Sequence, residues 1–299
     1  MIRIPDARID QLLAEDVPGI DLTTEALGIG ERSGRMECFT RQGCVLAGGS
    51  VAARVMERLG AAVESRTEDG ARLGAGDVFL TVRGTAAQLH MGWKLALNLC
   101  DRLSGVATAT RAMVDTAHAA NPDCQVLTTR KSLPGARDLL TLAVMAGGAW
   151  PHRLGLSETV LVFAQHVAFL GGLDGLLARL PAMRAACVEK RILVEAAPDE
   201  ALVLARGASG RPLVDGIQLD KVPSDELGPL VRELRAIDPR LILIAAGSIS
   251  EQNAGAHAAT GVDGLATTAP LNAAPIDMSV RMHAMGRGAR TDEPTDADR

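Results

Sequence analysis

Basic side chains cluster around two short apolar runs in the middle of the chain. Arg130 and Lys131 directly follow one run, and His152 and Arg153 come shortly before the next. A planar guanidinium matches the geometry of carboxylates and phosphates, and several cations at one rim can hold a polyanion. These residues therefore predict an anion site, although Arg130 and Lys131 also fit a solvated surface pair. His166, among apolar neighbours, fits either substrate binding or a hydrogen-bonded structural role.

Two carboxylates stand at the ends of two later apolar runs. Glu195 ends the run RILVE, and Asp220 follows the run GIQL. Carboxylates at neighbouring strand ends can bind Mg²⁺ or stabilise a developing positive charge. We therefore predict catalytic and metal-binding roles for both acids. A single acid at the end of a strand is as often a helix cap, which is the alternative for each.

Small and hydroxyl-bearing residues follow the last two runs. Ala246, Gly247 and Ser248 follow the first of these, and Thr267 and Thr268 follow the second. Backbone N–H groups and hydroxyls near helix starts bind phosphate. Together with the cations and acids, these residues predict a site for a phosphorylated sugar and an acidic co-substrate.

The elements that must position these residues alternate in type from about Val106 onward. Short, continuous apolar runs are each followed by a helical stretch, which is typical of a parallel sheet covered on both faces. Six such units in a row favour an incomplete α/β barrel over a doubly wound open sheet, and no G-x-G-x-x-G follows a strand. The predicted strands are 125–129, 159–163, 191–195, 216–219, 241–245 and 264–267.

The first hundred residues mix strands and helices without strict alternation, which favours a small α+β layer. We predict an N-terminal domain over 1–104, an incomplete barrel carrying the site over 105–286, and a disordered polar tail over 287–299. The predicted helices of the first domain are 9–15, 48–59 and 86–103, and its predicted strands are 35–40, 42–47 and 78–83.

Composition argues against several classes of protein. Aromatic residues make up 2% and the formal net charge is -5, which disfavours nucleic-acid binding by stacking or by phosphate contacts. No apolar run reaches the roughly 18 residues of a membrane span, and residues 1–20 do not resemble a signal peptide. Five widely spaced cysteines without C-x-x-C predict neither a disulfide framework nor a zinc site. We expect a cytoplasmic protein without nucleic-acid or membrane partners.

Several motifs together resemble the quinolinate phosphoribosyltransferase superfamily, and more closely its ModD-type pyrophosphorylase branch, which is associated with molybdenum transport. The combination of Arg-Lys-x-x-Pro-Gly with His-Arg-x-Gly-Leu about 17 residues further on is specific to the superfamily. The motifs are EDVPGIDLTTE near the start, LAGG at 46–49, LALNLCDRLSGVAT at 95–108, TTRKSLPG at 128–135, HRLGLSETVLVFAQH at 152–166, LVEAAPDEAL at 193–202, GIQLDKV at 216–222 and GVDGLATTAPLNAAPIDMS at 261–279.

The resemblance implies an N-terminal α/β sandwich domain, an incomplete α/β barrel, and a homodimer whose active sites are completed by the partner subunit. The implied reaction joins an aromatic acid to phosphoribosyl pyrophosphate with Mg²⁺ and releases pyrophosphate. In family members that use quinolinate, the products are nicotinate mononucleotide, pyrophosphate and CO₂.

The resemblance also assigns roles to the candidate residues. It implies that the two acids, Glu195 and Asp220, hold ribose and metal and that Lys131 lines the anion site, and we predict that all three are catalytic. The implied acceptor-binding residues are Lys94, Arg130, His152, Arg153, Phe163 and His166, and the implied phosphate-binding residues are Ala246, Gly247, Ser248, Thr267 and Thr268.

The chain departs from the family pattern at several of these positions. Phe163 replaces a lysine that contacts quinolinate, Lys94 replaces an arginine supplied across the dimer, and Thr268 replaces a glycine of the phosphate loop. Ala197 replaces an acid after the catalytic glutamate. An apolar wall at Phe163 leaves a second carboxylate without a partner, so we expect an aromatic or heterocyclic acceptor less acidic than quinolinate.

Three hypotheses for function follow. The leading one is a phosphoribosyltransferase of the ModD-type branch, and the second is a true quinolinate phosphoribosyltransferase of NAD biosynthesis. The third is a non-catalytic, anion-binding accessory protein of molybdate handling. The acids Glu195 and Asp220 favour catalysis, because they would repel a bare oxyanion unless Mg²⁺ or a ribose lay between them.

Overall fold

The computed structural model describes residues 2–207 and 213–286. The predicted tail at 287–299 lies outside these ranges. The strands are β1 (Ser33–Thr40), β2 (Cys44–Val45), β3 (Ala62–Arg66), β4 (Arg72–Leu73), β5 (Val78–Thr85), β6 (Gln125–Thr128), β7 (Trp150–Pro151), β8 (Val160–Val162), β9 (Ile192–Ala196), β10 (Gly216–Asp220), β11 (Ile242–Ala246), β12 (Gly264–Thr267) and β13 (Met278–Ala284).

The helices fall between these strands, with one short 3₁₀ turn at Ala269–Asn272. They are α1 (Asp6–Asp16), α2 (Leu22–Ala26), α3 (Gly49–Arg58), α4 (Ala86–Ala120), α5 (Arg137–Ala146), α6 (Ala164–Ala168), α7 (Leu173–Ala186), α8 (Pro198–Arg206), α9 (Ser224–Ile237) and α10 (Glu251–Ala258). Within the described residues, no helix combines the length and apolar character needed to cross a bilayer.

The unit formed by residues 105–274 is built on a seven-stranded parallel sheet of order β7-β6-β12-β11-β10-β9-β8. The predicted incomplete parallel α/β barrel is confirmed, and all six predicted strands are present within a residue or two of their predicted bounds. Strands such as β9 are buried along nearly their whole length because helices cover the sheet. The seventh strand, β7, was not predicted because it has only two residues, one of them a proline.

The other unit combines residues 3–104 with the segment from Pro275. Its four-stranded antiparallel sheet has the order β13-β1-β5-β3. Residues 275–286, which the sequence analysis places at the end of the barrel domain, group with this unit in the structure. Strand β13 pairs along the edge of β1, from Met278 opposite Thr40 to Ala284 opposite Gly34, and supplies the hydrogen bonds that this edge would otherwise lack.

Helix α4 is much longer than the predicted 86–103. It starts on a reciprocal cap, in which the Thr85 N–H donates to the Gln88 side chain (2.9 Å) and the Gln88 N–H donates to the Thr85 hydroxyl (3.3 Å). The prediction ended the helix before Gly105. A single helical glycine costs only about 1 kcal/mol, so the helix continues through it. The boundary predicted at 104/105 consequently falls inside α4, and the two units of the structure also divide between Ser104 and Gly105.

Candidate active site

A cavity of about 900 Å³ opens at the carboxyl ends of the parallel strands. Each of the seven strands places residues at this rim, because the carboxyl ends of parallel strands meet at one edge of the sheet. The cavity is lined by Thr129, Arg130, Lys131, His152, Arg153, Leu161, Phe163, Gln165, Glu195, Gln218, Asp220, Lys221, Ala246, Gly247, Ser248, Ile249, Ser250, Ala266, Thr267, Thr268 and Ala269.

The basic end of this cavity consists of Arg130, Lys131, His152 and Arg153, which follow the neighbouring strands β6 and β7. Arg153 is only 9% exposed and, among the described residues, forms no ion pair or hydrogen bond. Burial, and secondly the charge of Arg130, lowers the pKa of Arg153. The same two effects, with Arg153 as the neighbouring charge, lower the pKa of His152. This end therefore carries positive charge that an anionic ligand would compensate.

Phe163 closes the cavity next to Arg153. The guanidinium carbon of Arg153 lies 5.8 Å from the centre of the Phe163 ring. These residues follow β7 and β8, the two edge strands, which a flat sheet would separate by six spacings or about 29 Å. The short distance shows how strongly the sheet curls. A buried cluster built from β8, β9, β11 and β12 fills its interior and includes Leu161 and Leu193.

The acidic end is formed by Glu195 on β9 and Asp220 at the end of β10. The buried amide of Gln218 donates to the Glu195 carboxylate at 2.6 Å. Burial, and to a smaller extent the charge of Asp220, raises the pKa of Glu195, while the Gln218 hydrogen bond opposes the rise. Asp220 pairs with the ammonium of Lys221 at 3.3 Å. The two carboxylates are thus close enough to repel each other, and a further cationic group at Glu195 would relieve this repulsion.

A turn at Gly247–Ile249 joins β11 to the next helix and lies beside the acids. Gly247 and Ser248 have φ values of +84° and +56°. A Cβ atom on Gly247 would lie 2.7 Å from Oδ1 of Asp220, so only glycine allows this close approach. In the described part of the chain, the N–H groups of Gly247, Ser248 and Ile249 have no protein acceptor. Successive N–H groups of this kind form anion-binding concavities.

Two threonines complete the middle of the rim, Thr267 at the end of β12 and Thr268 directly after it. The Thr267 hydroxyl donates to the Ile249 carbonyl at 2.7 Å and accepts from the Ala269 N–H at 3.0 Å. The hydroxyls of Thr268 and Thr129 lie 2.7 Å apart. Thr267 therefore ties the loop after β12 to the turn after β11, and Thr268 connects β12 to the basic end.

Two of the predicted site residues lie outside the cavity wall. His166 is exposed, accepts a hydrogen bond from the Phe163 N–H at Nδ1 (3.0 Å), and stacks on the Phe163 ring with 5.9 Å between ring centres. It thus orients Phe163 and the start of α6 and does not line the cavity, in keeping with the structural alternative. Lys94 lies on α4 in the other unit, with its ammonium 5.4 Å from the centre of its own neighbour Trp93. Its predicted action across a dimer stays a prediction.

Sequence reasoning missed Gln218 and did not assign a role to Lys221. The signal for Gln218 was its spacing, because residues two apart on a strand share one face and Gln218 is two residues before Asp220. Lys221 stands next to Asp220 in the sequence, but its backbone conformation, with φ of +58°, has no signature in a lysine.

A curled parallel sheet with cations, N–H groups and carboxylates along one rim defines an α/β-barrel enzyme that acts on small anionic molecules. Family models for the N- and C-terminal domains of quinolinate phosphoribosyl transferase match residues 21–104 and 106–281. The chain belongs to the quinolinate phosphoribosyltransferase family, and it is a phosphoribosyltransferase of that superfamily.

Relatives cover nearly the whole chain. A protein of Rhodobacter capsulatus named "Putative pyrophosphorylase ModD" is 40% identical over 85% of this chain and 96% of its own length. An Escherichia coli protein of the same name is 35% identical over 94% and 98%. The carboxylating nicotinate-nucleotide pyrophosphorylase of Mycobacterium leprae is 36% identical over 87% and 90%. The crystal structure of NadC from Streptococcus pyogenes aligns with a TM-score of 0.84 at 26% identity, over 94% and 97%.

Proposed function

We propose that the chain is a ModD-type pyrophosphorylase that joins phosphoribosyl pyrophosphate to an aromatic or heterocyclic acid and releases pyrophosphate. The observation that carries this proposal is the division of one cavity into a basic end, a turn of free N–H groups and an acidic end. The basic end matches an acceptor carboxylate, and the turn of N–H groups matches a donor phosphate. The acidic end matches a ribose that develops positive charge. The relatives named ModD support the choice of branch.

The basic end binds the acceptor in this proposal. Arg153 supplies a guanidinium that forms no ion pair within the described residues, and Arg130 and Lys131 add charge at the more open side. His152, whose pKa is lowered, contributes a neutral imidazole that can donate or accept a hydrogen bond. Phe163 offers an apolar surface to the acceptor ring where a second cation would be needed to bind a dicarboxylate.

The acidic end stabilises the reacting sugar. Displacement of pyrophosphate leaves positive charge on the ribose, and a fixed carboxylate next to that charge lowers the energy of the transition state. Glu195 and Asp220 are held for this role by Gln218 and by the close packing of Gly247. Positioning of the two anionic substrates in one cavity supplies the remaining acceleration.

Mg²⁺ fits this end of the cavity if the donor supplies part of its coordination. No group of three or more His, Cys, Asp or Glu residues within the described ranges could hold a metal ion, so Glu195 and Asp220 would act as a pair. Mg²⁺ commonly binds one or two carboxylates together with substrate phosphates. When bound, it would neutralise charge on the leaving pyrophosphate.

We further propose a cytoplasmic homodimer in which Lys94 of one protomer serves the partner's cavity. Lys94 is exposed, and within the described residues it forms no ion pair, so its charge is available to a ligand. A lysine supplies a point charge without a bidentate fork, which would weaken selection for a planar dicarboxylate. Sedimentation velocity of the purified protein tests the dimer, and a monomer at micromolar concentration would contradict it.

The decisive experiment is an end-point mass-spectrometric assay. Purified protein, Mg²⁺ and phosphoribosyl pyrophosphate are combined with quinolinate or with a panel of aromatic monocarboxylic acids, and Glu195→Gln is the matched control. We expect a ribonucleotide product and pyrophosphate with a monocarboxylic acid, for the wild type alone. Efficient formation of nicotinate mononucleotide from quinolinate would instead support the carboxylating activity. Absence of product with every acid would contradict both transferase assignments.

A further inference from the structure

Lys221 stands at the mouth of the cavity in an unfavourable backbone conformation. It follows Asp220, the last residue of β10, and has a φ of +58°. Within the described ranges, Lys221 and Ser248 are the non-glycine residues with positive φ. A short polar side chain such as that of asparagine can stabilise the left-handed conformation by a local hydrogen bond. The long side chain of lysine does not provide this stabilisation. Such strain persists where the surrounding structure imposes it, and it is frequent at functional sites.

The turn after β11 imposes this conformation. The Lys221 N–H donates to the Ala246 carbonyl at 2.7 Å. Gly247 packs so closely that a Cβ atom on it would lie 2.5 Å from Cγ and 2.7 Å from the backbone N of Lys221. The two left-handed residues, Lys221 and Ser248, therefore flank one tight contact between the ends of neighbouring strands.

The ammonium of Lys221 is available to a ligand. It lies 3.3 Å from Oδ2 of Asp220, but 74% of the Lys221 side chain is exposed. Exposed ion pairs of this kind contribute little to stability, because water and salt screen them. A phosphate, with its higher charge, would compete effectively with Asp220 for the ammonium.

The neighbouring turn shows which ligand chemistry fits. The free N–H groups of Gly247, Ser248 and Ile249 lie in the segment that touches Lys221, and all four residues line the cavity. Several N–H donors beside one lysine are a phosphate site of the kind found in other nucleotide-binding loops.

We propose that Lys221 is a phosphate-binding residue of this site, whose ammonium leaves Asp220 to pair with a donor phosphate held at Gly247–Ile249. The inference rests on the proposed function, because it assigns the phosphate to the phosphoribosyl donor. One consequence is that the Asp220 carboxylate is released for the ribose or for Mg²⁺ only when the donor is bound. The phosphate belongs either to the pyrophosphate group or to the 5-phosphate of the ribose.

Calorimetric titration without Mg²⁺ tests the proposal with two probes, inorganic pyrophosphate and ribose 5-phosphate. Lys221→Gln removes the charge and keeps the chain length, Lys221→Asn removes the charge and suits the left-handed backbone, and Lys221→Arg keeps the charge. We expect Gln and Asn to weaken binding of one probe about tenfold, with Arg close to the wild type. The probe that is affected identifies the phosphate.

Lys190→Gln, an exposed lysine outside the cavity, is the matched control and should bind both probes like the wild type. Wild-type affinity in both Lys221→Gln and Lys221→Asn would overturn the role of Lys221 and leave the proposed function intact. Weak binding in Lys221→Gln with full recovery in Lys221→Asn would also overturn it, since backbone strain and not charge would then be responsible. A wild type that binds neither probe would overturn the proposed function itself.

Discussion

The basic and acidic ends of the cavity are built by the same sheet but are kept apart within it. The strand order places the cations after β7 and β6, the loops after β12 and β11 in the middle, and the acids on β10 and β9. Within the described residues, neither Arg153 nor Glu195 forms an ion pair. Asp220 pairs with the exposed ammonium of Lys221. Arg153 and Glu195 thus line one cavity without a direct ion-pair partner, so each end keeps a charged group for a ligand.

Burial shifts the pKa values at the two ends of the cavity in opposite directions. It raises the pKa of Glu195 and lowers the pKa values of His152 and Arg153. In each case the charged form is disfavoured because solvent has been removed without full compensation. A ligand with an anionic acceptor at one end and a developing cation at the other would relieve both penalties. This complementarity to the reacting pair is what catalysis requires.

Removing the buried cation of the basic end should produce the largest effect. We expect Arg153→Met to raise the KM for the acceptor about 100-fold, since truncating one side of a desolvated charge contact typically costs 2–5 kcal/mol. The KM for the phosphoribosyl donor should change little, because Arg153 belongs to the other end. Steady-state kinetics with each substrate varied in turn measures both.

Arg206→Met is the matched control, because Arg206 is a surface arginine paired with Glu233 outside the cavity. It should leave both constants unchanged. A rise in KM for the donor alone in Arg153→Met would reverse our assignment of the two ends.

A second change tests whether the apolar wall sets the number of carboxylates that the basic end accepts. Phe163→Lys adds a cation facing the same space as Arg153, and we expect the ratio of kcat/KM values to shift about tenfold or more toward dicarboxylic acids. The competition of quinolinate with a monocarboxylic acid in one reaction measures this ratio directly.

Phe169→Lys makes the same chemical change at a side chain that is 94% exposed and outside the cavity. It should not change the preference. If Phe163→Lys also leaves the preference unchanged, then the ring of Phe163 does not select the acceptor. Another part of the site would then determine whether monocarboxylic or dicarboxylic acids are preferred.

The convergence of the cavity residues was predictable from the sequence, because parallel strands place their carboxyl ends at one edge of the sheet. Arg130, Glu195, Asp220 and Gly247 each follow or end an apolar run, and the rule for parallel α/β folds brings them together. What the pattern could not show is the curl of the sheet, which brings residues after the two edge strands into contact.

Other features were hidden for identifiable reasons. His166 has the sequence neighbours of a site residue, but its ring caps the Phe163 N–H because three-residue spacing at a helix start allows that bond. Strand β13 lies beyond the last barrel unit, and its alternation of Met278, Val280 and Met282 was the only signal of pairing with β1. The strained backbone of Lys221 arises from contact with a distant segment, which local sequence does not encode.

The role of the acidic end can be tested by removing the hydrogen-bond donor that holds the Glu195 carboxylate. Gln218→Leu deletes the hydrogen bond that opposes the rise in the Glu195 pKa, so this pKa should rise further. Because the proposed role requires an ionised Glu195, the acidic limb of the profile of kcat/KM against pH should move to higher pH. The plateau at high pH should fall less than in Glu195→Gln.

Gln125→Leu changes an exposed glutamine at the start of β6 and provides the control. Its profile should coincide with that of the wild type. A uniform drop in rate for Gln218→Leu, without movement of the limb, would mean that Gln218 supports packing and does not tune Glu195.

The smallest effect concerns a carboxyl group whose pKa is raised outside this cavity. Burial raises the pKa of Asp101 on α4 to about 6, with Asp277 adding to the rise and Lys94 opposing it. The folded state then binds a proton more tightly than the unfolded chain, so stability falls as pH increases from about 4 to about 6 and stays lower above that range. Asp101→Asn should remove this loss.

We expect Asp101→Asn to raise the melting temperature by about 2 °C at pH 8, a value reduced for the partial exposure of the carboxyl, and to have no such effect at pH 4. Circular dichroism melts at both pH values measure the difference, with the exposed Glu189→Gln as control. An equal change at the two pH values would mean that packing, and not ionisation, is responsible. If only the melting temperature at pH 8 rises, the raised pKa of Asp101 affects stability. The raised pKa of Glu195 affects activity instead, because only Glu195 lies where a ligand can supply the missing positive charge.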